Sequence, residues 1–290
     1  MRRLQAGRRR QEMERRLREL DRLDRRGDVP ARVAMPRQGR RRPRRGEVVL
    51  VVCLLAGIAV LISVRGSNPP VDPRRVAAPG RLLPPVTGAP TGKHAFIETT
   101  ADGRPVTYDP CRAIHYVVNP MGMPDGGLDL VRKAVREISA ASGLAFTEDG
   151  VTPENLAKDR KPRQLERYGD RWAPVLIGWV DEASFPLVSG DVAGIAGSSV
   201  VAPDGPGSER YVTGQVALDR DWFAEAVARP GGDAAARALV MHELGHLVGL
   251  DHVSDRRELM AESASEVTEL GLGDRQGLAA VGAGPCWTDI

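Results

Sequence analysis

The residues best suited to chemistry lie in one short stretch, His-Glu-Leu-Gly-His-Leu-Val-Gly-Leu-Asp-His, which runs from His242 to His252. His242 and His246 are four residues apart, so on a helix both imidazoles point from one face toward a single ion. At Gly249 a left-handed conformation can end the helix and turn the chain back, which brings His252 to the same ion. Three neutral imidazoles leave one position of a tetrahedral zinc ion open for water, as in catalytic zinc sites. Glu243 lies beside them and is predicted to be the general base.

Chance is the simplest alternative, because a lone His-Glu-x-x-His can arise on any amphipathic helix. However, the chain has only five histidines, and three of them fall within this stretch. The other two, His94 and His115, have no partner at a ligand spacing and are predicted to be structural. The full pattern therefore predicts one catalytic Zn²⁺, whereas no calcium site can be read from the sequence.

The stretch His242–His252 resembles in full the signature of the metzincin clan of zinc endopeptidases. Met260 lies eight residues after it and resembles the methionine of the tight turn beneath the zinc in that clan. The pairs Gly249-Leu250 and Leu259-Met260 are most similar to the matrixin branch. The resemblance implies a metalloendopeptidase that hydrolyses peptide bonds with a zinc-activated water and with Glu243 as the base.

Two positions depart from the matrixin pattern. Val253 stands where matrixins usually carry serine, and Ala261-Glu262 replaces the Tyr-Pro that usually follows the turn methionine. By the resemblance, these departures affect the wall of the pocket for the residue after the scissile bond, so substrate preference is left open. A propeptide of the matrixin cysteine-switch type cannot be read from the sequence.

The elements that must position this stretch predict one α+β domain over residues 104–290. Strands are predicted at residues 114–118, 144–147, 175–180, 194–201 and 211–219, with a charged surface loop at 149–171. An amphipathic helix starts near Leu128, the zinc helix runs from a cap at Asp233 to Val248, and a last helix covers residues 274–281. By resemblance this order implies the metzincin fold, with a twisted mixed five-stranded sheet, an active-site helix and a C-terminal helix.

The same resemblance implies a role for the strand at residues 194–201. It would be the edge strand that pairs with an extended peptide substrate. An ordinary glycine-rich strand is the alternative.

The amino-terminal part of the chain has a different composition. Residues 1–46 contain 18 arginines against six acidic residues, although the whole chain is only +3. Residues 48–64 form an unbroken apolar run within a segment, 47–65, that is predicted to be a transmembrane helix. The positive-inside rule then places the arginine-rich tail in the cytoplasm, next to anionic lipid headgroups, and the catalytic domain outside the cell.

The apolar run and the basic tail each have an alternative interpretation. A secretory signal peptide would have a shorter basic region and a cleavage site directly after the apolar run, where this chain has Arg65-Gly66-Ser67. Nucleic-acid binding by the basic tail is disfavoured, because polybasic residues beside a membrane span more often bind lipid headgroups. Residues 66–103 are rich in proline and glycine and are predicted to be a stalk or a short pro-segment.

Cysteine usage agrees with an exported domain. Cys53 falls within the apolar run, whereas Cys111 and Cys286 lie near the two ends of the predicted domain and are a possible disulfide. Two free thiols are the alternative. Scarce lysine beside abundant arginine, alanine and glycine suggests a bacterial source with GC-rich codons.

Three function classes remain open from the sequence. The first is a membrane-anchored zinc endopeptidase that acts on extracellular proteins. The second is a catalytically inactive zinc-binding domain that recognises peptides at the cell surface. The third is a structural protein whose tail organises partners at the inner membrane face.

Overall fold

The computed structural model describes residues 80–190, 192–262 and 266–287 and, for the backbone alone, residues 51–54 and 58–61. In chain order the elements are β1 (Val51–Leu54), β2 (Ile58–Leu61), β3 (Ala95–Phe96), β4 (Ile114–Asn119), α1 (Gly127–Ser142), β5 (Phe146–Val151), α2 (Leu165–Tyr168), β6 (Val175–Val180), a 3-10 turn (Pro186–Val188), β7 (Gly194–Val201), β8 (Arg210–Asp219), α3 (Arg220–Val227), α4 (Gly232–Val248), β9 (Leu250–Asp251) and α5 (Leu272–Gly282).

A mixed sheet of five strands forms the centre of the domain, in the order β5-β4-β6-β8-β7. Strands β5, β4, β6 and β8 run parallel to one another, whereas β7 runs antiparallel to β8 and forms one edge. The α+β class and the five-stranded mixed sheet predicted from the sequence are thus confirmed. Two residues of β3 pair with β9 in a separate small sheet.

The main core lies between the sheet and helices α1 and α4. On α1, the buried residues recur at three- and four-residue spacing, so that one stripe of the helix faces the core. Along β7 and β8 the side chains alternate between two faces: Ala196 and Val216 point into this core, whereas Ile195 and Ala217 join a smaller apolar cluster on the opposite face. Helix α4, which carries His242 and His246, is therefore held against the sheet by the burial of apolar side chains.

Several local predictions differ from the structure. The second strand begins at Phe146 and continues through Val151, later than predicted, and α3 was not predicted at all. Helix α4 is preceded by Gly231 in a left-handed conformation (φ 74°), so Asp233 lies in the first turn and is not the cap. Single-residue propensity sets such boundaries poorly because the tertiary contacts decide them.

The charged stretch at residues 149–171 is more than a surface loop. It contains α2 and the buried ion pair of Arg160 with Glu154, whose two hydrogen bonds are 2.9 and 3.0 Å long. Arg160 also donates to the backbone oxygens of Pro174 and Gly214. This pair fastens the loop to the sheet.

Residues 92–97, which we call the strap, pack against the domain although the sequence suggested a stalk or pro-segment there. Strand β3 lies within the strap and pairs with β9. The strap also contacts α5, because the Gly92 N–H donates to Gln276 Oε1 at 2.8 Å. Its short apolar part, Ala95-Phe96-Ile97, is too brief to show a period in sequence.

The predicted transmembrane helix is not seen in the part of residues 47–65 that the structure describes. There, Val51–Leu54 and Ile58–Leu61 are strands that pair antiparallel. Valine and isoleucine are abundant in this run, and their branched side chains favour extended backbone. Among the described residues no helix is both long and apolar enough to cross a membrane. The arginine-rich tail, residues 1–46, lies outside the described residues.

Candidate metal centre

Three histidines from two segments converge at one point. His242 and His246 lie on successive turns of α4, and His252 follows β9 after the chain has turned back. Their Nε2 atoms form a nearly equilateral triangle with sides of 3.0, 3.1 and 3.1 Å. The turn is made at Gly249, whose φ of 114° is unfavourable for residues with a Cβ.

Backbone carbonyls fix the orientation of two of these rings. His242 Nδ1 donates to the Leu259 oxygen at 2.8 Å, and His246 Nδ1 donates to the Leu250 oxygen at 2.9 Å. A carbonyl can only accept, so Nδ1 carries the proton in both rings and each Nε2 presents a lone pair. Such outer contacts are typical of metal-ligating histidines, because they fix the tautomer and the ring plane.

Burial keeps these imidazoles uncharged. It lowers the pKa of His242 to about 4 and the pKa of His246 well below its usual value, and it also lowers the pKa of His252. Neutral imidazole is the form that binds metal, whereas three close lone pairs repel one another without a cation between them. The chemistry of this donor set therefore suits a divalent cation.

The spacing of the donors fits zinc. Two nitrogen ligands of a tetrahedral zinc with bonds of 2.0–2.1 Å are roughly 3.3 Å apart. The Nε2 separations of 3.0–3.1 Å lie close to that value. His242, His246 and His252 are therefore the residues that would hold the ion.

Glu243 directly follows His242 on α4, and its carboxyl group is buried. Its residue is 1% exposed, and its Oε2 has no hydrogen-bond partner among the described residues. Burial raises the pKa of Glu243 to about 8. A buried polar atom without a partner costs about 1–3 kcal/mol, so its retention calls for an explanation.

The first residue of the edge strand β7 packs directly on this carboxyl group. A Cβ at Gly194 would lie 2.7 Å from Glu243 Oε1 and 2.8 Å from its Cγ. Only a residue without a side chain fits there. The edge strand and the carboxyl group are thus in direct contact.

Met260, the predicted turn methionine, packs against Gly245 on the helix that carries His242 and His246. It is 2% exposed, and its sulfur would be 2.6 Å from a Cβ placed at Gly245, so the glycine of the zinc stretch makes room for it. The Val253 N–H donates to the Met260 oxygen at 2.9 Å, and Val253 is bridged to Ala261. The two positions that depart from the matrixin pattern, Val253 and Ala261, therefore pair with each other.

An acidic side chain on α5 holds this turn in place. Asp274 Oδ2 accepts from the N–H groups of Leu259 and Gly271, and its Oδ1 accepts from the N–H of Met260. Since the Leu259 oxygen accepts from His242, Asp274 is connected to the first histidine through one residue. The sequence marked Asp274 only as the start of a helix, and no short motif reveals this longer-range role.

The remaining predicted residues lie apart from the triangle. Cys111 and Cys286 are joined by a disulfide across a separation of 175 residues. His115 pairs with Asp149 at 2.7 Å, and His94 lies within the strap. Among the described residues, the only other group of three potential metal ligands is Asp109 with the two disulfide cysteines, whose sulfurs are already bonded to each other.

The comparisons with known proteins agree with this geometry. No curated protein matches the chain. The family model described as Matrixin (Peptidase_M10) matches residues 181–281, a range that includes the edge strand, the histidine triangle and Met260. This match supports a metallopeptidase with a metzincin- or matrixin-like domain in the carboxyl-terminal part of the chain.

Proposed function

We propose that the protein is a zinc endopeptidase in which Glu243 is the general base. The observation that carries the proposal is the buried Oε2 of Glu243, which has no hydrogen-bond partner among the described residues and lies on the helix that carries two of the three converging imidazoles. The matrixin match over residues 181–281 supports the same reaction class.

A zinc ion at this site supplies Lewis acidity, which makes a water nucleophilic near neutral pH and polarises a peptide carbonyl. The residues of the chain supply the rest. The Glu243 carboxylate accepts the proton of the attacking water and passes it to the departing amine. Burial alone raises the pKa of Glu243 to about 8, and the positive charge of a bound zinc ion would lower this pKa toward the range in which the carboxylate can take up a proton and release it again near neutral pH.

We further propose that the substrate binds as an extended peptide along β7. This strand is the outermost of the five-stranded sheet, and its first residue, Gly194, touches Glu243. Pairing with an edge strand would use the backbone groups of the substrate and would place a peptide bond near the carboxyl group.

An inactive zinc-binding domain that recognises peptides is the second candidate. It would use the same three histidines and the same edge strand. It would not need a buried carboxyl group without a partner, which destabilises the fold. The position of Glu243 therefore favours the enzyme.

The test uses the full chain, purified in detergent because of its apolar run. Zinc per chain and the hydrolysis of a quenched peptide library are measured with and without a chelator. We expect one zinc and chelator-sensitive cleavage, and we expect Glu243→Gln to lower the rate by about 10²- to 10⁴-fold while it keeps the zinc. The matched control is Glu225→Gln, an exposed glutamate on α3 that pairs with Arg229.

The outcomes separate the function classes. Full activity of Glu243→Gln would refute its role as the base. One zinc per chain without cleavage would favour the peptide-recognition domain, and a folded chain without zinc would leave a structural protein.

Attachment to a membrane remains a prediction from sequence. The support is the length of the apolar run, residues 48–64, and the arginine-rich tail before it. We propose that this run anchors the domain outside the cell, with protein substrates there. Release of the chain from membranes by salt or carbonate washing, without detergent, would contradict the anchor.

A further inference from the structure

The two residues of β9 connect two of the predicted zinc ligands. Leu250 and Asp251 lie between Gly249 at the end of α4 and His252. The Leu250 oxygen also accepts the proton of His246 Nδ1 at 2.9 Å. The conformation of this short segment thus determines the position of His252 and the orientation of His246.

Residues 95–97 of the strap pair with the whole length of this segment. Ala95 lies opposite Asp251 and Phe96 opposite Leu250 in an antiparallel register. One residue further on, the Ile97 N–H donates to the Gly249 oxygen at 3.0 Å. Every residue between the helix end and His252 therefore has a partner in the strap.

Helix α5 packs against both the strap and this segment. A Cβ at Gly273 would lie 1.8 Å from the Lys93 oxygen, so the strap backbone touches the helix backbone. One turn later, a Cβ at Gly277 would lie 2.7 Å from Leu250 Cδ2 and 3.0 Å from His94 Cβ. The Gly92 N–H, bonded to Gln276, fixes the other end of the strap.

We propose that the strap is a positioning element of the zinc site, which holds His246 and His252 in the geometry that binds the metal. This inference rests on the proposed zinc binding but not on peptidase activity. Without the strap, the segment from Gly249 to His252 would have to be ordered when the metal binds, and zinc affinity would fall. Loss of such outer contacts typically lowers metal affinity about 10- to 100-fold.

Thermodynamic linkage makes the effect reciprocal. If docking of the strap tightens zinc binding, bound zinc must stabilise the docked strap by the same factor. Residues 66–91 directly precede the strap in the chain. Cleavage or mechanical tension within residues 92–97 would then weaken metal retention. Cleavage before Gly92 would leave the strap docked.

The first test compares Ile97→Pro with Ile97→Ala in the full chain. Proline removes the N–H that bonds to the Gly249 oxygen, whereas alanine removes the side chain and keeps that N–H. The zinc dissociation constant is measured by competition with a chromophoric chelator, and the melting temperature is measured without metal. We expect zinc affinity to fall about 10- to 100-fold for Ile97→Pro and less than twofold for Ile97→Ala.

Gly273→Ala tests the strap from the opposite side, because its Cβ would clash with the Lys93 oxygen. Its neighbour Leu272 is 58% exposed, so Leu272→Ala is the matched control. We expect Gly273→Ala to weaken zinc binding and Leu272→Ala to leave it unchanged. A zinc affinity of Ile97→Pro and Gly273→Ala within twofold of their controls would overturn the proposal, even if the metal-free melting temperature fell.

Amide hydrogen exchange on the native chain keeps the proposal testable if both variants fail to fold. Under conditions in which both amides exchange by local opening and not by global unfolding, zinc should slow exchange of the Ile97 amide but leave the Thr152 amide, which is bonded to Val118 in the sheet, unchanged. Equal responses of the two amides to zinc would overturn the proposal. If the native chain binds no zinc, the proposed function itself fails, and this is seen before any variant is compared.

Discussion

Replacement of Gly194 by alanine should damage catalysis without removing the metal. The added Cβ would lie 2.7 Å from Glu243 Oε1, 2.8 Å from its Cγ and 2.9 Å from its Cδ. Favourable contacts between heavy atoms begin at about 3.5 Å, so the carboxyl group or the strand must move by roughly 0.8 Å to relieve the shortest contact. The three atoms nearest to the added Cβ all belong to Glu243, and none belongs to a histidine.

The magnitude follows from this displacement. A misplacement of about 1 Å in an active site can cost on the order of 100-fold in rate, so we expect kcat to fall about 10- to 100-fold. If β7 moves instead of Glu243, the proposed substrate strand is displaced and KM should rise. A fall in kcat would therefore indicate that the Glu243 carboxyl group has moved, and a rise in KM would indicate that β7 has moved.

The assay measures kcat and KM with a fluorogenic peptide, together with zinc per chain and the melting temperature. Gly80→Ala is the control, since a Cβ there would meet nothing within 4 Å. A zinc-loaded Gly194→Ala protein with kcat and KM within twofold of the native values would refute the contact as a constraint on catalysis.

Three further predictions concern stability. In chelator, stability should fall as the pH is lowered from about 6.5 toward 4, because the unfolded chain protonates its histidines first while burial holds the pKa of His242 near 4; melting curves against pH test this. Also in the presence of a chelator, Glu243→Gln should melt at a higher temperature than the native chain above pH 8 but at the same temperature near pH 4. The reason is that burial raises the pKa of Glu243 to about 8 and penalises its charged form. Equal melting curves of the two proteins at pH 9 would contradict this. Replacement of both Cys111 and Cys286 by alanine should lower the free energy of unfolding by about 2–4 kcal/mol, measured by urea titration against the native chain under non-reducing conditions.

The site residues were predictable where their relationship is local. On α4, the four-residue spacing of His242 and His246 places both on one face. The helix end at Gly249 could be predicted because a left-handed residue there needs glycine. The strands at residues 175–180 and 194–201 were also predicted with the observed bounds, since their apolar and small residues continue over a whole strand.

The predictions failed where a neighbour far away in sequence decides the structure. The strap looked like a linker because three apolar residues carry no period, and its partner β9 lies about 150 residues later. No local sequence pattern indicated that Asp274 would hold the turn before Met260 or that Gly194 would contact Glu243.

The sequence by itself determined the set of candidate metal ligands, the α+β class and the presence of an edge-strand candidate, because these follow from side-chain chemistry and from short-range periodicity. Only the tertiary structure decided the strand order β5-β4-β6-β8-β7, the contact of β7 with Glu243 and the docking of the strap behind the ligand segment. Such contacts depend on which apolar faces and backbone edges pack together once the chain has collapsed, and a local pattern of residues does not encode that choice.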